Sequence, residues 1–230
     1  MTQNMFGRSV GLALLGAAAI GCSGQPAPTT TPRPISSAEA AAGLERGIAK
    51  ARADSARYAY TDADIRFMSG MISHHAQAIS MARLATTNGA RPAVVTLAGR
   101  VINAQQDEIA LMQNWLRDRR QPVPEPNPAG MRMVMNGVEH DMLMPGMLTP
   151  EQMRQLTAAH GPEFDQLFLK FMIQHHNGAT AMVKELFDTY GAGQDQLVFK
   201  FAADVNIDQT TEIARMEKML IAIIVERNSK

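Results

Sequence analysis

Apolar residues recur every third or fourth position from Thr61 to Leu116, and the same rhythm restarts after Gly161. At the helical repeat of about 100° per residue, Phe67, Met71, Ala78, Met81 and Ala85 share one face with His74, and His75 lies just beside it. Thr61 or Asp62 can cap the start of this helix, and Asn88-Gly89 can close its end. Pro92 suits the first turn of a second helix, on which Leu97, Val101, Ile109, Met112 and Leu116 share a face with Gln105 and Glu108.

The pattern is duplicated. Laying 64–81 on 165–182 without a gap gives eight identities: Asp64/Asp165, Phe67/Phe168, Met71/Met172, Ile72/Ile173, His74/His175, His75/His176, Ala78/Ala179 and Met81/Met182. Unrelated segments of that length share roughly one. The match resumes downstream, where Gln105, Glu108, Ile109, Ala110 and Met112 correspond to Gln209, Glu212, Ile213, Ala214 and Met216. Each unit is therefore a helical hairpin, with Gly191-Ala192-Gly193 as the second turn. Connections this short make neighbouring helices antiparallel, and four amphipathic helices can bury their faces only against one another. The expected fold is all-α: an antiparallel four-helix bundle over 61–228. It has hairpins at 61–119 and 163–228 and a methionine-rich connecting loop within the insert 120–162. In that insert Thr149-Pro150-Glu151-Gln152 is a capping box opening a short helix expected to stop at Gly161-Pro162.

The residues before the bundle speak to compartment. Arg8 is followed by the short apolar run VGLALLGAAAI, then Gly21 and Cys22, which describes an export signal over 1–21. The run is too short for a spanning helix of about 20 residues. Cys22 is the single cysteine, so no internal disulfide forms. Its setting, Ala19-Ile20-Gly21-Cys22, resembles a bacterial lipobox, with Ala19 where leucine is usual. Lipidation at Cys22 would tether the mature chain, and Ser23 after it favours the outer membrane by resemblance. The alternative is an ordinary signal peptide with an incidental cysteine. The segment 22–60 holds the Pro/Thr-rich run QPAPTTTPRPIS, an extended tether. An alanine-rich helix after Ser37 is expected to pack outside the bundle or fray. With 22 basic and 22 acidic residues and no basic stripe, nucleic acid is not an expected partner.

The candidate chemistry lies in the polar exceptions to the apolar faces. Buried imidazoles and carboxylates need partners or an ion. Di-iron bundles place glutamate three residues before histidine; here Met71 precedes His74 and Met172 precedes His175 at that spacing. Thioether and imidazole together suit Cu(I), or Ag(I), better than iron or manganese. The insert adds Met131, Met133, Met135, His140, Met142, Met144 and Met147, a candidate secondary metal group that could cover an open end of the bundle. Met112, Met216 and Met219 read as core gap-fillers. No nucleophile–base arrangement or phosphate loop stands out, so no catalytic residues are assigned.

The doubled D-x-x-F-x-x-x-M-I-x-H-H-x-x-A-x-x-M, each copy followed by Q-x-x-E-I-A-x-M, resembles domain of unknown function family 305 from about Thr61 onward. That resemblance implies a ferritin-like bundle and an exported protein that binds copper, sometimes silver, in copper tolerance. It makes His74, His75, His175, His176 and the nearby Met71, Met81, Met172 and Met182 the candidate ligands, with Gln105, Glu108, Gln209 and Glu212 behind them. The expected function is sequestration or transfer of Cu(I) on the periplasmic side of the envelope, not catalysis. A copper exporter, a metallochaperone or a second copy of the chain are candidate partners. Two rivals stand beside it: a di-metal redox enzyme, and an envelope interaction module whose histidines form a buried polar network.

Overall fold

The computed structural model describes residues 36–229 apart from 56–59 and 136. The expected signal segment, Cys22 and the Pro/Thr-rich run to Ile35 lie outside the described residues. The chain divides into two compact units, 1–44 and 45–230, with the boundary inside α1 (Ser37–Ser55). The second unit carries α2 (Asp62–Arg83), α3 (Pro92–Asp118), β1 (Met131–Met135), β2 (Val138–Met142), α4 (Pro150–Ala158), α5 (Gly161–Asp188) and α6 (Gln196–Asn228).

The fold is all-α, a bundle of α2, α3, α5 and α6, as the periodicity predicts. The helices pair as two hairpins, α2 with α3 and α5 with α6, which meet along α2 and α5. Thr61 is the cap of α2: its hydroxyl accepts from Asp64 N–H, and the Asp64 carboxylate accepts from Thr61 N–H at 2.6 Å. Thr149 and Gln152 form the same reciprocal pair at α4. At the other end of α2 the chain passes through a 3-10 turn, Leu84–Thr86, and reverses at Gly89, where φ is 67°.

Two apolar clusters make the core. One gathers Phe67, Met68, Met71, Ile72, Trp115 and Met182; the other gathers Met81, Leu156, Phe164, Phe168, Leu169 and Met172. Burying a side chain of this kind contributes about 1.5–3 kcal/mol. Met112 and Met216 are also fully buried.

Two expectations are corrected. The short helix of the insert ends at Ala158, and Gly161-Pro162 opens α5 rather than only closing α4; proline is suited to a first helical turn because that turn's N–H has no intrahelical acceptor. The methionine-rich segment is a β-hairpin, not a plain loop, with Met131 opposite Met142, Met133 opposite His140 and Met135 opposite Val138. Gly137 before β2 has φ 75°, a conformation glycine adopts without strain. The aligned Asp64 and Asp165 also take corresponding structural roles. Both are buried, and each ties its helix to the other hairpin's turn. Asp64 Oδ1 accepts from Gly193 N–H at 2.7 Å, and Asp165 accepts from Arg91 N–H at 3.1 Å and Arg91 Nε–H at 2.8 Å.

Candidate metal centre at the α2–α5 crossing

The four paired histidines are fully buried. His74 and His175 face each other where α2 meets α5, with ring centroids 3.8 Å apart. Adjacent helical residues point about 100° apart, so the second histidine of each pair turns toward its own hairpin. His75 Nε2 lies 2.7 Å from Glu108 Oε2 on α3, and His176 Nε2 lies 2.7 Å from Glu212 Oε2 on α6. Only the second contact is aligned as a hydrogen bond; in the first, the atoms are close but off line. The sequence duplication has become a duplicated geometry.

These contacts assign the lone pairs. The Pro145 carbonyl can only accept, so His74 donates through Nε2, at 3.0 Å. Its free lone pair is then on Nδ1. The same reasoning places the His176 lone pair on Nδ1, because a carboxylate accepts from Nε2. The Nδ1 atoms of all four histidines are buried and without a hydrogen-bond partner, and so are Nε2 of His75 and Nε2 of His175. An unsatisfied buried group costs about 1–3 kcal/mol. His75 Nε2 at least touches a carboxylate, whereas His175 has only a polar approach to the His74 backbone.

Electrostatics keep the central pair neutral. Burial, followed by the neighbouring His75, lowers the His74 pKa from 6.5 to about 3, against a raising contribution from the Pro145 hydrogen bond. Burial and then His74 hold His175 well below the ordinary imidazole range. Neutral imidazoles present lone pairs, which is the form a metal requires. Behind them, Asp208 on α6 sits above the usual carboxylate range through partial desolvation and then the nearby Glu108, Asp204 and Glu212. The acidic side chains of α3 and α6 therefore approach one another.

The segment 143–148 is a strap across the crossing. A Cβ on Gly178 would lie 1.9 Å from Pro145 O and 2.6 Å from Gly146 Cα, so only glycine admits the strap there. Gln77 holds its far end, accepting from Leu148 N–H at 2.6 Å and donating to Leu148 O at 3.0 Å and Pro128 O at 3.0 Å. Gln174 donates to Gly146 O at 3.2 Å. A Cβ on Gly70 would meet Met144 Sδ at 3.0 Å and Met182 Cε at 3.5 Å. Met144 is thereby laid on α2 one turn before His74. Met147 is buried, its sulfur accepting from Met144 N–H at 3.3 Å.

The expected ligands fall into groups. Met71 and Met182 belong to one apolar cluster, and Met81 and Met172 to the other. Gln105 and Gln209 are buried, each with Oε1 unpartnered. Met144 and Met147 belong to the strap, apart from Met131, Met133, Met135, His140 and Met142 in the hairpin. Among the described residues, no three His, Cys, Asp or Glu side chains gather closely enough to hold an ion by themselves. The donor set is imidazole with nearby thioether, not a carboxylate cage. Gly70, Gln77, Pro145 and Gly178 escaped the sequence reading. Their signal was the mismatch between repeats: Gly70 faces Phe171 in the alignment, and Gln77 faces Gly178.

Residues 64–220 match the family model for DUF305, a domain of unknown function, and the chain belongs to that family. The DUF305 protein of Streptomyces coelicolor is similar in structure, with TM-score 0.59 at 25% identity, over 70% of this chain and 93% of that one. CopM is similar in its Cu(I)-bound form, with TM-score 0.51 at 26% identity, over 70% of this chain and 96% of that one. Its Cu(II)-bound form gives 0.52 at 27% identity, over 69% and 96%, and its silver-soaked form 0.50 at 26%, over 70% and 96%. No curated protein sequence matches this chain. No helix of the described residues is long and apolar enough to cross a membrane.

Proposed function

We propose that this protein binds Cu(I), with Ag(I) as an equivalent soft ion, at the α2–α5 crossing. The ion is cargo, sequestered or handed on outside the cytoplasm in copper tolerance. The observation that carries this reading is the central pair: His74 and His175 are fully buried, their ring centroids lie 3.8 Å apart, and the Nδ1 atom of each is without a hydrogen-bond partner. A purely structural histidine would have recruited a hydrogen bond there. His175 and His74 Nδ1 supply nitrogen, and Met144, which the strap lays on α2 one turn before His74, is the candidate thioether. Glu108 and Glu212 orient the flanking imidazoles, as carboxylates do behind metal-bound histidines. Softness of the donors favours a monovalent ion. The copper- and silver-bound forms of CopM support the choice of metal. The apolar run before Cys22 supports export, with Cys22 as the lipid anchor.

The test is an anaerobic Cu(I) titration against a competing chelator, with wild type beside His74→Ala/His175→Ala. Loss of tight uptake at the crossing is expected. Undiminished stoichiometry and affinity in the double variant would overturn the reading.

A further inference from the structure

The crossing leaves the β-hairpin unused, and its composition is odd for strands. β-Branched and aromatic residues favour extended structure, yet three of the five residues in β1 are methionine. Burial does not explain them. Met142 is 44% exposed, His140 is exposed, and Met131 and Met133 are half-buried. Val134 and Val138 are also exposed, so the hairpin is not a piece of the core.

The pairing register explains the choice better. Side chains directly opposite in an antiparallel pair lie on the same face, and alternate residues share it. Met131 opposite Met142 and Met133 opposite His140 therefore form a rectangle of four on one face. Opposed Cβ atoms are about 4.5–5.5 Å apart, and long side chains also reach the diagonal neighbour. Three thioethers and one imidazole can thus converge on one point above the sheet. The charges are segregated to the other face. There Arg132 lies 3.6 Å from Glu139 and 3.7 Å from Asp141, so neither acid shares the sulfur face.

We propose that this face of the hairpin is a second soft-metal site, separate from the helix crossing. It takes a monovalent copper or silver ion on the sulfurs of Met131, Met133 and Met142 and the imidazole of His140. Four uncharged soft donors suit a monovalent ion and leave a hard divalent ion without oxygen ligands. Partial exposure makes the site accessible from solvent, unlike the fully buried crossing. β2 runs straight into the strap, with only Leu143 between Met142 and Met144.

The experiment uses Ag(I), which does not disproportionate, on the full chain carrying ¹³C-methyl methionine. Wild type is compared with Met131→Leu/Met133→Leu/His140→Ala/Met142→Leu and with His175→Ala, with circular dichroism checking that each is folded. The methyl resonances of Met131, Met133 and Met142 should shift with Ag(I), in His175→Ala as well as in wild type. The hairpin variant should bind one equivalent fewer. Unshifted hairpin methyls, or an unchanged equivalent count in the hairpin variant, would overturn the site. Failure of the crossing reads differently: His175→Ala would then match wild type in every equivalent, whatever the hairpin does.

Discussion

His175 and Gly178 lie on adjacent turns of α5 and bear opposite burdens. His175 keeps Nδ1 unpaired in a fully buried site, and Gly178 keeps a space open for the strap. Neither is optimal for stability alone, since an unpaired polar group and a mid-helix glycine each cost free energy. A methyl at position 178 would overlap the Pro145 carbonyl, which is backbone and cannot rotate away. Gly178→Ala should therefore destabilise the fold by about 1–3 kcal/mol, the range for overpacking. It should also release the strap. Denaturant unfolding gives the first quantity, and faster amide exchange at Gly146 and Met147 reports the second. A variant with native exchange along the strap would show that it is held by something other than this close approach.

The helical hairpins are joined by reciprocal ties. Asp64 opens α2 and reaches the α5–α6 turn; Asp165, near the start of α5, reaches the turn before α3. Their equivalence follows from the duplication, but nothing near them in the sequence names their partners. The cross-links connect residues 129 and 74 positions apart, which no local pattern encodes. Asp64→Ala and Asp165→Ala should each cost about 1–3 kcal/mol by stranding buried donors or breaking a buried contact. A first-turn charge acting on the helix dipole alone would be worth about 0.3–1 kcal/mol. Urea unfolding of the two variants separates these, and values in the lower range for both would reject the cross-link account. Where the copies differ is as informative as where they agree. Gly70 and Gln77 on α2, and Gly178 on α5, are unmatched between repeats because one strap lies across a nearly symmetric pair of helices.

For the molecule as a whole, the buried imidazoles link stability to pH. His74 is neutral when folded, its pKa lowered from 6.5 to about 3, whereas the unfolded chain protonates it near 6.5. His175 is shifted in the same direction by burial. The unfolded state thus binds more protons below pH 6.5, so stability falls as pH falls from there toward 3. From pH 6.5 to about 5 this loss precedes ordinary carboxylate titration. Urea midpoints over that window should decline in wild type and decline less in His74→Gln, where the titrating ring is gone. Equal slopes would mean that His74 is not neutral in the folded protein. Glu108, Glu212 and Asp208 lie near the cluster, and their variants serve as controls for the carboxylate side.

The sequence by itself determined the helices, their caps, the duplication and the inward placement of the four histidines. Each of these follows from periodicity or from contacts within a few residues. Burial of His74 and His175 was legible because both sit on apolar faces. The hairpin was not, since a glycine- and proline-bearing context masked an alternation only five residues long. Only the tertiary structure decided which nitrogen of His74 and of His176 is engaged, that Met144 lies over Gly70, and that Asp64 and Asp165 fasten the hairpins together. Those depend on side chains far apart in the chain meeting at distances of about 3 Å, and spacing along a sequence carries no record of such encounters.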